Sequence, residues 1–268
     1  MRFRHLFGMF FFTLAAGAQA AHLGSEPSPR TLELYTSRQC AAKPVVVFEN
    51  GSRETFDTWD KVIASIKTDV SVFAYNRPGY GKSEPTEQPR DGLTIVNELR
   101  QALRRQGMQP PYILVGHSLG GLYMQLFARV YPREVKGLVL VDSLYPGIVK
   151  KTEDFPLYAR VAKRLFFSST INKEIDEIHQ TGIQVLALPW PNDIAVERLV
   201  NVPKGPGAVP VDFGAFNSGK KLTESINALY PNATTTVVDS DHRMQAATPE
   251  AVVAAIRRVM PAADVPGC

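Results

Sequence analysis

Tyr112-Ile113-Leu114-Val115-Gly116-His117-Ser118-Leu119-Gly120-Gly121 is the stretch on which the fold turns. An apolar run, a Gly-x-Ser-x-Gly turn and a helical pattern over 119–130 follow one another without a gap. That order predicts a strand, a sharp turn and a helix. The turn would hold Ser118 in a strained conformation. Residues 116 and 120 must then lack side chains, because neighbouring backbone comes close. Ser118 would stand above a sheet edge at a helix N-terminus, whose N–H groups and dipole favour a developing negative charge. A serine so placed is a candidate nucleophile. The plainer alternative is a helix N-capped by Ser118, with glycines for packing.

Outward from this stretch, short apolar runs alternate with helical patterns. Val45–Phe48, Val70–Tyr75, Lys136–Val141, Gln184–Leu188 and Thr234–Val238 read as further strands. Residues 54–67, 92–106 and 249–259 read as helices, the last opened by Thr248-Pro249-Glu250. The alternation predicts an α/β fold, a parallel sheet with helices on both faces and chemistry at the carboxyl ends of the strands. Residues 144–181 carry Phe155, Leu157, Tyr158, Leu165, Phe166 and Phe167 and are expected to form a small helical cap, or else a plain connecting helix packed on the sheet. Pro203-Lys204-Gly205-Pro206-Gly207 reads as a loop.

The chain has 268 residues, 44% hydrophobic and 21% charged, which suits one large globular domain. Its start differs from the rest. Arg2 and Arg4, the apolar run Leu6–Leu14 and Ala18-Gln19-Ala20 form the pattern of a secretory signal peptide cleaved after Ala20. The apolar run is short for a bilayer span, and no later segment is long enough, so no stable membrane insertion is expected. Losing Arg2 and Arg4 takes two charges from a net +4 and leaves +2. No basic stripe interleaved with aromatics is present, so nucleic acid is not an expected partner. Cys40 and Cys268 are the two cysteines, and export favours a disulfide between them. Such a bond would contribute about 4–5 kcal/mol in the loop-entropy model. No CxxC or Cys/His cluster suggests zinc.

Gly116-His117-Ser118-Leu119-Gly120-Gly121 resembles the elbow of the α/β-hydrolase superfamily, in particular its esterase-like branch. The resemblance runs from about Pro44 to Val259. It takes in Phe48-Glu49-Asn50-Gly51-Ser52 as the oxyanion loop, Asn76-Arg77-Pro78-Gly79-Tyr80-Gly81-Lys82-Ser83 as the following Gly-rich loop, and Ser240-Asp241-His242 as the histidine loop. Asn50 stands where the family commonly has His. The resemblance implies an α/β-hydrolase fold with a small cap, and an oxyanion hole formed by the backbone N–H groups of Ser52 and Leu119. Arg77, Gly79 and Ser83 would shape the loop beside it.

Of the five histidines, His5 lies in the leader, His22 at the mature start, His117 in the elbow with its side chain expected to point away from Ser118, and His179 in the cap. His242 follows the last strand, where the family carries its general base. The acid is expected between Ser and His in chain order. Asp193, in Pro189-Trp190-Pro191-Asn192-Asp193 after the fifth strand, occupies the family's usual place and is preferred. Asp142, ending the fourth strand, is the alternative. Asp241 adjoins His242 and is poorly placed to face it. Trp190 and Tyr145 would line an acyl pocket or simply pack.

The implied chemistry is hydrolysis of a small-molecule ester through an acyl-enzyme, with no metal or organic cofactor. Amide or peptide hydrolysis, a lipase and a non-catalytic binding protein on the same fold are the alternatives. The insertion shows no large apolar lid pattern, which favours small soluble esters over lipids. The aspartate nucleophile of dehalogenases and epoxide hydrolases is not found at position 118.

Overall fold

In the computed structural model the described residues are 31–38, 43–148, 151–202 and 220–261. The leader 1–20, Cys40, Cys268 and the 203–207 loop lie outside them. The strands are β1 (Leu34–Ser37), β2 (Val45–Glu49), β3 (Ser71–Tyr75), β4 (Tyr112–His117), β5 (Val135–Val141), β6 (Ala195–Asn201) and β7 (Thr234–Val238). They form one sheet in the order β1-β3-β2-β4-β5-β6-β7, parallel except for β1.

Every residue of β2, β3 and β4 is buried, which is why their sequences are continuous apolar runs and not alternating ones. The pleat sends Val45 and Val47 to one face and Val46 and Phe48 to the other. The first face is covered by α2 (Gly92–Arg105), α3 (Leu119–Val130), α6 (Ile178–Leu186) and α7 (Lys220–Leu229). The second is covered by α1 (Asp60–Ile66), α8 (Met244–Ala247) and α9 (Pro249–Val259). Asp91 caps α2 by accepting from the N–H groups of Leu93 and Thr94.

One predicted strand is a helix. Gln184–Leu188 falls largely within α6, whose Thr181, Gly182 and Val185 are buried at helical spacing. A short apolar run fits either element, and here the longer period prevails. The strand is β6, hidden in the sequence by Glu197 and Arg198. Glu197 accepts from Arg258 Nε at 2.9 Å, and Arg198 Nε donates to the Tyr145 hydroxyl at 2.9 Å. Both partners are distant in sequence, so the charges are satisfied only once the fold exists.

The stretch expected as a cap holds α4 (Leu157–Phe166) and α5 (Ser169–Asp176) and continues into α6. Helix α4 buries none of its residues. Leu157, Tyr158, Leu165 and Phe166 are each more than 70% exposed, while Ala159 and Ala162 are partly covered. An apolar lid-like face is therefore present, contrary to the sequence expectation.

Helix α5 is tied down by charge. Glu174, fully buried, accepts from Arg77 Nε and Nη2, both at 3.0 Å, and from the Tyr80 hydroxyl at 2.7 Å. Arg77 Nη1 also meets Glu49 Oε1 at 2.6 Å. Burial raises the Glu49 carboxyl above its ordinary value despite Arg77. Burial acts to lower the Arg77 guanidinium, but Glu174, Tyr80 and Glu49 outweigh it and hold it well above its ordinary value. Removing one member of a buried ion pair strands the other. Glu174→Ala is therefore expected to destabilise the fold by about 3–5 kcal/mol in urea unfolding. A loss below about 1 kcal/mol would contradict the network's role.

Candidate active site

Ser118 lies between β4 and α3 with φ 51° and ψ −120°, outside the regions open to an ordinary L-residue. Its N–H donates to Val141 O at 3.1 Å, and its carbonyl accepts from Gly121 N at 3.1 Å and Leu144 N at 3.0 Å. These bonds over-determine the strained turn. A Cβ at residue 120 would lie 2.4 Å from Glu49 O and 2.5 Å from Asn50 O, so only glycine lets the loop after β2 pass over the elbow.

The carboxylate that meets His242 is not the one expected from the sequence. Asp193 is exposed and precedes β6, whereas His242 follows β7. Those strands are parallel, so Asp193 sits at the wrong end of the sheet, about 20 Å along a strand from the histidine loop. Misplacing the fifth strand misplaced the residue after it. Asp142, fully buried at the carboxyl end of β5, instead puts Oδ2 2.8 Å from His242 Nδ1. It too is strained, with φ 39°, and its N–H donates to Leu199 O at 2.9 Å. Asp241 is exposed, and its Oδ1 accepts from Arg243 N at 2.8 Å, shaping the turn around His242.

Asn50, where the resembled family commonly has His, is buried and braces the loop after β2 from within. Its Nδ2 donates to Tyr75 O at 2.8 Å, and its Oδ1 accepts from Trp59 Nε1 at 2.9 Å. Arg77 donates to the carbonyls of Asn50 at 2.7 Å and Gly51 at 3.2 Å. Two carbonyls of the loop are thereby held on the guanidinium. Ser52, Arg53 and Glu54 face Asp241, His242 and Arg243 across a cleft of about 560 Å³. Trp190 and Tyr145 pack: the Trp190 ring meets Tyr230 at 4.8 Å, and Tyr145 is buried against Arg198.

The His117 side chain is engaged at both ring nitrogens. Nδ1 lies 2.7 Å from Glu54 Oε2 and Nε2 lies 2.8 Å from the His242 carbonyl oxygen. Glu54 was not singled out in the sequence, and no local pattern marks it. Burial alone would raise its carboxyl; the hydrogen bond and charge of His117 prevail and hold it below its ordinary value.

A sequence profile described as alpha/beta hydrolase fold matches residues 44–206. The chain belongs to this family. The chain is 22% identical over 200 residues to the uncharacterized protein YbdG of Bacillus subtilis, 58% of this chain and 62% of that one. It is 27% identical over 114 residues to the bifunctional esterase/perhydrolase DCH of Acinetobacter calcoaceticus, 42% of this chain and 41% of that protein. The chain thus spans less than two thirds of the curated relatives' length. In structure, this α/β hydrolase resembles a thermophilic esterase from Thermogutta terrifontis, with TM-score 0.62, 17% identity and coverage of 88% and 94% of the two chains. A point mutant of an epoxide hydrolase from Bacillus megaterium matches equally well at TM-score 0.62 and 16% identity, covering 86% and 96%. The sheet and cap therefore identify the fold, and the reaction has to be argued from the site.

Proposed function

We propose that this α/β hydrolase is an exported serine hydrolase that cleaves carboxylic esters through Ser118, His242 and Asp142. The observation that carries the reading is the 2.8 Å Asp142–His242 contact, at the same sheet edge as the strained Ser118. Asp142 engages Nδ1, so His242 works through Nε2. Nε2 takes the Ser118 hydroxyl proton as Oγ bonds to the ester carbonyl carbon. The oxyanion rests on the N–H groups of Ser52 and Leu119. The tetrahedral intermediate expels the alkoxide, which leaves as alcohol with the proton from Nε2. Water then attacks the acyl-enzyme by the same steps, releasing the acid and restoring Ser118. The esterase activity named for the Acinetobacter relative supports this class, and the basic-then-apolar start of the chain supports export.

Two measurements test it: labelling by a fluorophosphonate probe, and turnover of p-nitrophenyl esters from acetate to palmitate. The expected results are a label on the Ser118 peptide and turnover that falls with chain length. An unlabelled serine together with no turnover of any ester would overturn the reading. A second reading follows from the exposed face of α4, which suits ester substrates presented at a lipid surface. It predicts the opposite profile, with palmitate hydrolysed faster than acetate.

A further inference from the structure

We propose that Glu54 and His117 form a brace that positions the general base, holding the main chain of His242 while Asp142 holds its ring. The proposal rests on the reading of His242 as the base.

The hydrogen-bond inventory carries it. A carbonyl oxygen only accepts, so His117 Nε2 must donate to His242 O across the 2.8 Å contact. On the other side of the ring, His117 Nδ1 meets Glu54 Oε2 at 2.7 Å. Both nitrogens of His117 are thus engaged at a site where its side chain is 1% exposed.

The same carboxylate oxygen accepts from Gln245 Nε2 at 3.3 Å, on the helix that opens two residues after His242. Glu54 therefore fastens the histidine loop on both sides of the base. The two imidazoles lie 4.6 Å apart with planes at 51°. A Cβ at residue 51 would fall 2.8 Å from His117 Nδ1 and 2.9 Å from Glu54 Oε2, so Gly51 gives the pair its room beneath the oxyanion loop.

The brace joins three segments distant in sequence: the oxyanion loop, the elbow and the histidine loop. Asp142 acts on the ring, with Oδ2 2.8 Å from Nδ1, and His117 acts on the main chain of the same residue. An anchor on the carbonyl of His242 limits the travel of Nε2, and catalysis requires such groups to be held within about 0.5 Å.

The test compares wild type with His117→Ala, His117→Gln, Glu54→Gln and the His117→Ala/Glu54→Gln double variant. The readouts are kcat and KM on p-nitrophenyl acetate, the CD melt, and the downfield proton resonance of the His242 Nδ1–H. A loosened base is expected to cost about 100-fold in kcat for His117→Ala. KM should stay within about twofold, since ground-state binding is untouched. The double variant should be no worse than His117→Ala, because the two residues act as one unit. His117→Gln, which keeps one N–H for the carbonyl, should recover part of the loss. The His242 resonance should broaden while the melt stays cooperative.

A His117→Ala variant with wild-type kcat, or one that loses kcat with the resonance unmoved, would overturn the brace. Should that variant fail to fold, Glu54→Gln and His117→Gln decide on the same readouts. If wild type turns over no ester, the reading of Ser118 and His242 falls separately. The resonance then judges the brace: unchanged in the variants, it is refuted; broadened, it stands as a structural anchor of the loop.

Discussion

Ser118→Ala is expected to lower kcat on p-nitrophenyl acetate by about 10⁶-fold, the size of effect that follows loss of a nucleophile acting as one unit with its base. Fold and binding should survive. Alanine keeps the Cβ, so the strain at φ 51° is the same, and the bonds that fix the turn are backbone bonds from Val141, Gly121 and Leu144. The melt should therefore stay within a degree or two of wild type, as about 0.5 kcal/mol or less predicts. Residual rate should remain about 10³-fold over water, supplied by the oxyanion donors and by binding alone. A variant retaining more than about one part in a hundred of wild-type kcat would mean that Ser118 is not the nucleophile.

The second large effect discriminates between two carboxylates. Asp142→Asn should lower kcat by about 10⁴-fold, whereas Asp193→Asn should leave it within about twofold. The amide keeps the shape of Asp142 and its place beside His242 Nδ1, 2.8 Å away in the wild type. It offers a donor as readily as an acceptor, so the imidazole is held in the wrong tautomer, and the imidazolium formed during reaction loses its counter-charge. Asp193 is exposed, at the amino end of β6, and touches none of this. The reverse outcome, with Asp193→Asn inactive and Asp142→Asn active, would reject the proposed triad.

What was legible in the sequence was local. The elbow could be read because strand, turn and helix are contiguous and each leaves its own mark: an apolar run, two glycines and a 3.6-residue period. His242 could be read because it follows the last strand directly. The acid could not, because its position depends on which apolar run is a strand. Gln184–Leu188 has the composition of a strand and the buried spacing of a helix, while β6 carries Glu197 and Arg198 in its middle. Those charges find partners on α9 and from Tyr145, which no local window contains. Glu54 is a harder case still. Its worth lies in a contact with His117, 63 residues away, and nothing near it in sequence distinguishes it from a solvated glutamate.

Arg77 bears on how this scaffold could change. One guanidinium meets Glu49 and the carbonyls of Asn50 and Gly51 on the sheet side, and the carboxylate of Glu174 on α5 on the cap side. Cap segments are the natural place to alter a substrate preference, since they can be exchanged without rebuilding a sheet. Here an exchanged cap inherits an obligation: it must return a carboxylate to the place of Glu174. Without one, the guanidinium keeps Glu49 and the two carbonyls but loses both bonds that steady it from the cap side, and the loop it holds is less firmly placed. Recombining this cap with a foreign one is thus a change to the catalytic loop as well as to the pocket.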